Sequence, residues 1–151
     1  MEKILKSPFD VAAKILAAFL VLAFLVWFWP YFVPPSPFPT MDRIVAEIKA
    51  QNYDALYFRL SDRWRRETSQ VEYVRRNKNA EEPFFRFGGF IESAYVDHQG
   101  ASFARGEVYI PVYYRVKVLA ARPTKTRVSL WIFKLVFQSR QWRLDGLKNV
   151  E

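Results

Sequence analysis

The side chains able to do chemistry are few and scattered. His98 is the only histidine, and it follows Asp97. Neighbours in a strand point to opposite faces, so spacing builds no acid–base couple from this pair. His98-Gln99-Gly100 reads instead as a turn. The chain has no cysteine, which excludes disulfides, thiolate chemistry and Cys-based metal sites. Beyond Glu81-Glu82 no carboxylates cluster, so neither a metal nor a cofactor is expected. There is no Gly-rich phosphate loop. No nucleophile, base and orienting group can be assembled from spacing. These absences point away from an enzyme.

Charge offers a second kind of chemistry. From Thr40 onward 20 Lys and Arg stand against 13 Asp and Glu, a net charge of +7. Such a balance attracts anionic head groups, acidic proteins or nucleic acid. Arg59, Arg63 and Arg66 would share a face if one helix ran through them. They are candidate contacts to an anionic surface, with a solvated face paired to Asp62, Glu67 and Glu72 as the plainer reading. Nucleic acid is not expected as a partner, because the N-terminal segment places the domain away from it.

That segment is the apolar run Ile15 to Val33. No charge occurs between Lys14 and Asp42. About 20 helical residues cross a hydrocarbon core of about 30 Å, so residues 11–33 are expected to form a transmembrane helix in membrane lipid. Lys14 can snorkel to head groups at one end. Trp27, Trp29 and Tyr31 form an aromatic belt at the other. The run is longer than a signal-peptide core and lacks small residues at a cleavage site, so an uncleaved signal anchor is expected. Lys3, Lys6 and Lys14 favour a cytoplasmic N-terminus (residues 1–10) and an extracytoplasmic bulk domain. Five prolines between 30 and 39 end the helix. Residues 34–39 are expected as a polyproline II stalk of about 15–20 Å.

The elements that must position the polar side chains lie in the domain, 40–151. Thr40 is expected to cap a helix carrying Met41, Ile44, Val45 and Ile48 at helical spacing. Asn52 caps a second piece, and Leu60-Ser61-Asp62 is a further break. Ser69-Gln-Val-Glu72 is a capping box opening a helix to about Asn77. Phe84, Phe85, Phe87 and Phe90 around Gly88-Gly89 then suggest strand context with a bend. Strands are expected at 90–97, 107–118, 126–138 and 142–144, with a loop at 121–125. Residues 107–118 alternate strictly, the mark of a half-buried strand. In 126–138 both faces are apolar, with Val128, Leu130, Ile132 and Val136 opposite Trp131, Phe133, Leu135 and Phe137. Helices covering one sheet face would leave apolar groups on the other, which marks an interface. Tyr109, Tyr113, Trp131 and Phe133 are the candidate partner face; the alternative is a strongly curved sheet burying both rows.

Helices then antiparallel strands make an α+β domain. Gln51-Asn-Tyr-Asp-Ala-Leu-Tyr57, Leu60-Ser61, the capping box at Ser69 and the closing Gln141-Trp-Arg-Leu-Asp-Gly146 together resemble the nuclear transport factor 2-like superfamily over about 40–151. The resemblance implies a cone of curved antiparallel sheet wrapped on a helical hairpin. It also admits two functions. Membrane-tethered members serve as periplasmic scaffold subunits of bacterial secretion machines. This implies a non-enzymatic accessory subunit of the bacterial inner membrane, with a membrane-associated protein partner or a homo-oligomer. Ligand-binding and isomerase-like members imply instead a cone with an internal acid or base, for which Asp97, His98, Tyr57, Tyr73 and Asp145 are the candidates.

Overall fold

A computed structural model describes residues 8–86, 88–119 and 125–150, and their side chains apart from 8–11, 29–32 and 82–86. The chain divides into two compact units, 1–35 and 36–151.

The first unit is one helix, α1 (Pro8–Phe32), of 25 residues. It starts before the expected position 11 and passes Pro30, ending at Phe32. Its apolar side chains stand open: Leu20 is 60% and Val26 69% exposed. Phe24 and Phe28 stack with ring centroids 4.2 Å apart. Among the described residues no helix is long and apolar enough to cross a membrane. The described side chains of α1 run only from 12 to 28.

The second unit is α+β, with helices first and a curved antiparallel sheet after them. α2 (Phe38–Lys49) begins earlier than the sequence suggested. Its N-cap is Pro37, not Thr40, and proline occupies its first turn, where no intrahelical partner for the amide is needed. Pro37 has φ −75° and ψ −20°, so the expected polyproline II stalk through residue 39 gives way to helix. Met41, Ile44 and Val45 form the buried stripe. Gln51, at φ 54°, ends the helix. The Asn52 side chain then accepts from the Ala55 amide at 3.2 Å and opens α3 (Tyr53–Tyr57). Ser61 caps α4 (Asp62–Glu67), and Ser69 Oγ accepts from the Glu72 amide at 3.3 Å at the start of α5 (Gln70–Arg86). The Glu72 carboxylate bonds Arg75 and Arg76 instead of reaching back. α5 continues well past Asn77 and takes in Phe84 and Phe85. Its polar middle lacks the apolar period that announces a helix.

The sheet contains β1 (Gly89–Val96), β2 (Ser102–Ala104), β3 (Glu107–Val118), β4 (Lys125–Gln138) and β5 (Gln141–Val150). β1, β3, β4 and β5 lie in that order, and β2 also pairs with β3. β2 was not expected, and β5 is longer than expected. β4 is central, as its two apolar faces demand. Of the loop expected at 121–125, residues 121–124 lie outside the described residues, as does Phe87, and Lys125 already belongs to β4.

The core sits on one sheet face. Val108, Ile110, Val112 and Tyr114 of β3, Phe133 and Leu135 of β4, and Trp142 and Leu144 of β5 meet Met41, Ile44, Val45, Tyr53, Leu56 and Leu60. The Ser61 amide donates to the Leu144 carbonyl, and the Leu144 amide to the Arg59 carbonyl, each at 2.8 Å. This parallel bridge covers part of the β5 edge, whose backbone groups would otherwise be unpaired.

Candidate functional site

Register decides which side chains share the other sheet face. Val118 pairs with Lys125, so even positions of β3 oppose odd positions of β4. Directly paired residues of antiparallel strands lie on the same face. Ile110 therefore goes with Phe133, and Val112 with Trp131, on the core side. Tyr113 goes with Leu130, Pro111 with Ile132, and Tyr109 with Lys134, on the outer side.

The candidate partner face is corrected accordingly. Tyr109 and Tyr113 are on the outer face. Phe133 is 1% exposed within the core, and Trp131 packs against that core. Their places are taken by Leu130, Ile132 and Val128. One row crosses the whole sheet, Tyr95–Tyr113–Leu130–Val150, with Pro111–Ile132 beside it. Tyr95 is 63%, Val128 56% and Val150 38% exposed, while Leu130, Ile132 and Pro111 are half-buried. The parity of the β3–β4 connection carries this assignment; apolarity alone cannot, because both rows of β4 are apolar.

Where β4 meets β5 a bulge makes Asp145 the extra residue, between pairs Lys134–Gly146 and Leu135–Leu144. Asp145 is 7% exposed. Its Oδ1 accepts from Ser61 Oγ at 2.6 Å and from Arg63 Nε at 3.2 Å. Its backbone carbonyl accepts from Arg63 at 2.7 Å and from Trp64 Nε1 at 2.8 Å. Lys134 Nζ stands 3.4 Å from Oδ2 and 2.8 Å from Glu107, to which Tyr109 Oη donates at 2.8 Å. Burial pushes the Asp145 carboxyl up, but Ser61, Arg63 and Lys134 together outweigh it and hold the group below its ordinary value. Such a carboxylate is a poor general base. Its evident work is to tie α4 to the sheet.

The other acid–base candidates are engaged separately. Tyr57 Oη donates to the Thr68 carbonyl at 3.1 Å. Burial raises the Tyr73 phenol to about 12. Asp97 Oδ1 accepts from the Gln99 and Gly100 amides, making the turn. His98 stacks on Phe38 with centroids 4.3 Å apart. Among the described residues no three His, Cys, Asp or Glu side chains converge on a point fit for a metal.

The arginine face is corrected as well. A break at residues 58–61 separates α3 from α4, so Arg59, Arg63 and Arg66 share no continuous helix. Arg59 is paired with Glu47 at 2.6 Å, and Arg63 with Asp145. Arg66 alone of the three is exposed without an ion pair among the described residues. On α1, Lys14 is exposed and Trp27 is 75% exposed; the side chains of Trp29 and Tyr31 lie outside the described residues.

Sequence reasoning missed a set of buried polar atoms. Among the described residues, Tyr53 Oη, Tyr114 Oη and Glu81 Oε2 are buried atoms with no hydrogen-bond partner. Burial raises the Tyr114 phenol, with the charge of Glu81 adding to it, and burial raises Glu81. Tyr114 was legible only as an inward strand position. No protein-family model matches the chain, and no curated protein matches it in sequence.

Proposed function

We propose that the chain is a non-enzymatic accessory or scaffold subunit. In this reading α1 anchors it in a membrane, and the outer face of the sheet docks a membrane-associated protein. The single observation that carries the docking is the apolar row Tyr95–Tyr113–Leu130–Val150, left open on a sheet whose opposite face already holds the core. The anchor rests on the charge-free stretch from 15 to 41 and on a helix of 25 residues, which rises about 37 Å. The same reading puts the N-terminus in the cytoplasm and the domain outside it, in the periplasm of a bacterial inner membrane. The order of helices and sheet supports a nuclear transport factor 2-like cone.

The test is a photo-crosslinking residue in place of Tyr113 or Leu130 in the full chain, in native membranes. Cross-linking to one membrane protein from both positions, lost in Ile132→Asp, is the expected result. Absence of a cross-link from both positions would overturn the docking. Release of the chain by alkaline carbonate would overturn the anchor.

A second reading is a cone that binds a small molecule. It is favoured by the unpartnered Tyr114, Tyr53 and Glu81 oxygens, since buried polar groups without partners are rare. Native mass spectrometry of the purified full chain should then show a bound small molecule that is lost in Tyr114→Phe. A bare mass would count against it.

A further inference from the structure

Among the described residues, two cations beside the outer apolar band have no acidic partner. Arg115 pairs across the strands with Val128, and Lys148 pairs with Ile132, so the two flank the apolar band. Both are exposed. Every described acid on this face is already engaged. Glu92 holds Lys117, and Glu107 holds Lys134. Asp97, which follows β1 and bonds the Pro111 carbonyl through its amide, turns its carboxylate back on the Gln99 and Gly100 amides. Among the described residues the uncompensated charge around the band is therefore positive.

This pattern selects among occupants. A second copy docking through the same face would bring two more cations and, among the described residues, no free carboxylate. A bilayer surface prefers apolar side chains that project about 5–10 Å into the head-group boundary. Leu130, Ile132 and Pro111 are instead half-buried within the weave. Arg115 and Lys148 are offset by four residues along β4 and by two strand spacings, which places them about 16 Å apart. One helix of about 10–12 Å diameter fits between them.

Resting on the docking reading above, we propose that the outer face receives an acidic amphipathic helix of another protein. Its apolar stripe lies on Tyr113, Leu130 and Ile132. Its flanking carboxylates reach Arg115 on one side and Lys148 on the other. Charge at such a rim sets the choice of partner and its orientation more than the raw affinity.

The test uses the full chain in a neutral detergent and two synthetic helical peptides with one leucine stripe, flanked by Glu in one and by Lys in the other. Fluorescence anisotropy should show the Glu peptide binding roughly tenfold more tightly. The double variant Arg115→Glu/Lys148→Glu, with an unchanged circular dichroism spectrum, should reverse the preference. Arg115→Gln/Lys148→Gln should abolish it. Equal binding of the two peptides would overturn the acidic occupant while leaving the docking face standing. So would failure of both peptides where the cross-link from Leu130 persists. Failure of both together with loss of that cross-link would remove the docking reading as well. Displacement of the Glu peptide by short-chain phosphatidylglycerol would assign the face to lipid and overturn the inference.

Discussion

The two faces of β4 are almost equally apolar and meet opposite fates. Phe133 and Leu135 are fully buried beneath the helices. Leu130 and Ile132, on the same strand, are only half-buried, and Val128 is more open still. The side chains do not explain the difference; the cover does. Burial of apolar area stabilises only where another element supplies the opposing surface. One face finds it in α2 and α3, and the other keeps its potential for association.

The sharpest way to break this contrast is to truncate matched residues on the two faces. Phe133→Ala should cost about 3–5 kcal/mol through lost transfer energy and a residual cavity. Ile132→Ala should cost less, about 1–2 kcal/mol, since its side chain is only partly buried and leaves no enclosed cavity. Urea denaturation of the full chain, followed by tryptophan fluorescence, measures both. Equal losses would mean that the outer face is covered.

Asp145 sits where the two faces meet, and its removal should have the next largest effect. Asp145→Asn keeps the volume but removes the charge that Arg63 and Lys134 answer. The expected loss at pH 7 is about 2–3 kcal/mol, below the range for a fully buried pair because Arg63 is half exposed. The carboxyl is held below its ordinary value in the fold. Its contribution is therefore present above the unfolded value of about 3.9 and disappears as pH falls through the lower folded value. Wild type and variant should converge in denaturation midpoint in that acid range. A gap that stays constant throughout the acid range would show that the charge is not what ties α4 to the sheet.

Much of this architecture was legible from residues alone. Alternation marked β3 to the residue. Met41, Ile44 and Val45 marked α2, and Asn52 and Ser69 marked the starts of later helices, because small polar side chains cap amides locally; Leu60-Ser61-Asp62 read only as a break, where Ser61 in fact caps α4. The faces of β4 were not legible, since they depend on pairing parity and not on composition. The arginine cluster misled for a related reason: Arg59 and Arg63 answer Glu47 and Asp145, which lie distant in sequence. Asp145 itself could be suspected only as an acid beside Gly146 in the closing strand.

Outer-face substitutions test what the open surface is for. Leu130→Ser should cost about 1–2 kcal/mol, well short of Phe133→Ala, because the side chain is only partly buried. It should nonetheless abolish the cross-link formed from Tyr113. A stability loss approaching that of Phe133→Ala would erase the distinction between the faces; an intact cross-link would separate openness from docking.

The smallest expected effect concerns a carboxyl on the inner side of the contrast. Glu81 acts electrostatically on Tyr114, has a buried oxygen without a partner among the described residues, and is pushed up by burial. Its sign is opposite to that of Asp145. A carboxyl whose folded value lies above the unfolded one favours the fold while protonated. Stability from this group therefore falls as pH rises from the unfolded value, about 4.3, through the folded one, and stays lower above it. Glu81→Gln should raise the melting temperature at pH 7 slightly, and the gain should vanish near pH 4. Asp145→Asn, by contrast, lowers stability at pH 7. A Glu81→Gln variant that is less stable at pH 7 would mean that the carboxylate holds a cation or donor in the protein as it exists. Glu81 and Tyr114 would then belong with the satisfied polar network of Asp145, and the case for a small molecule in the cone would rest on Tyr53 alone.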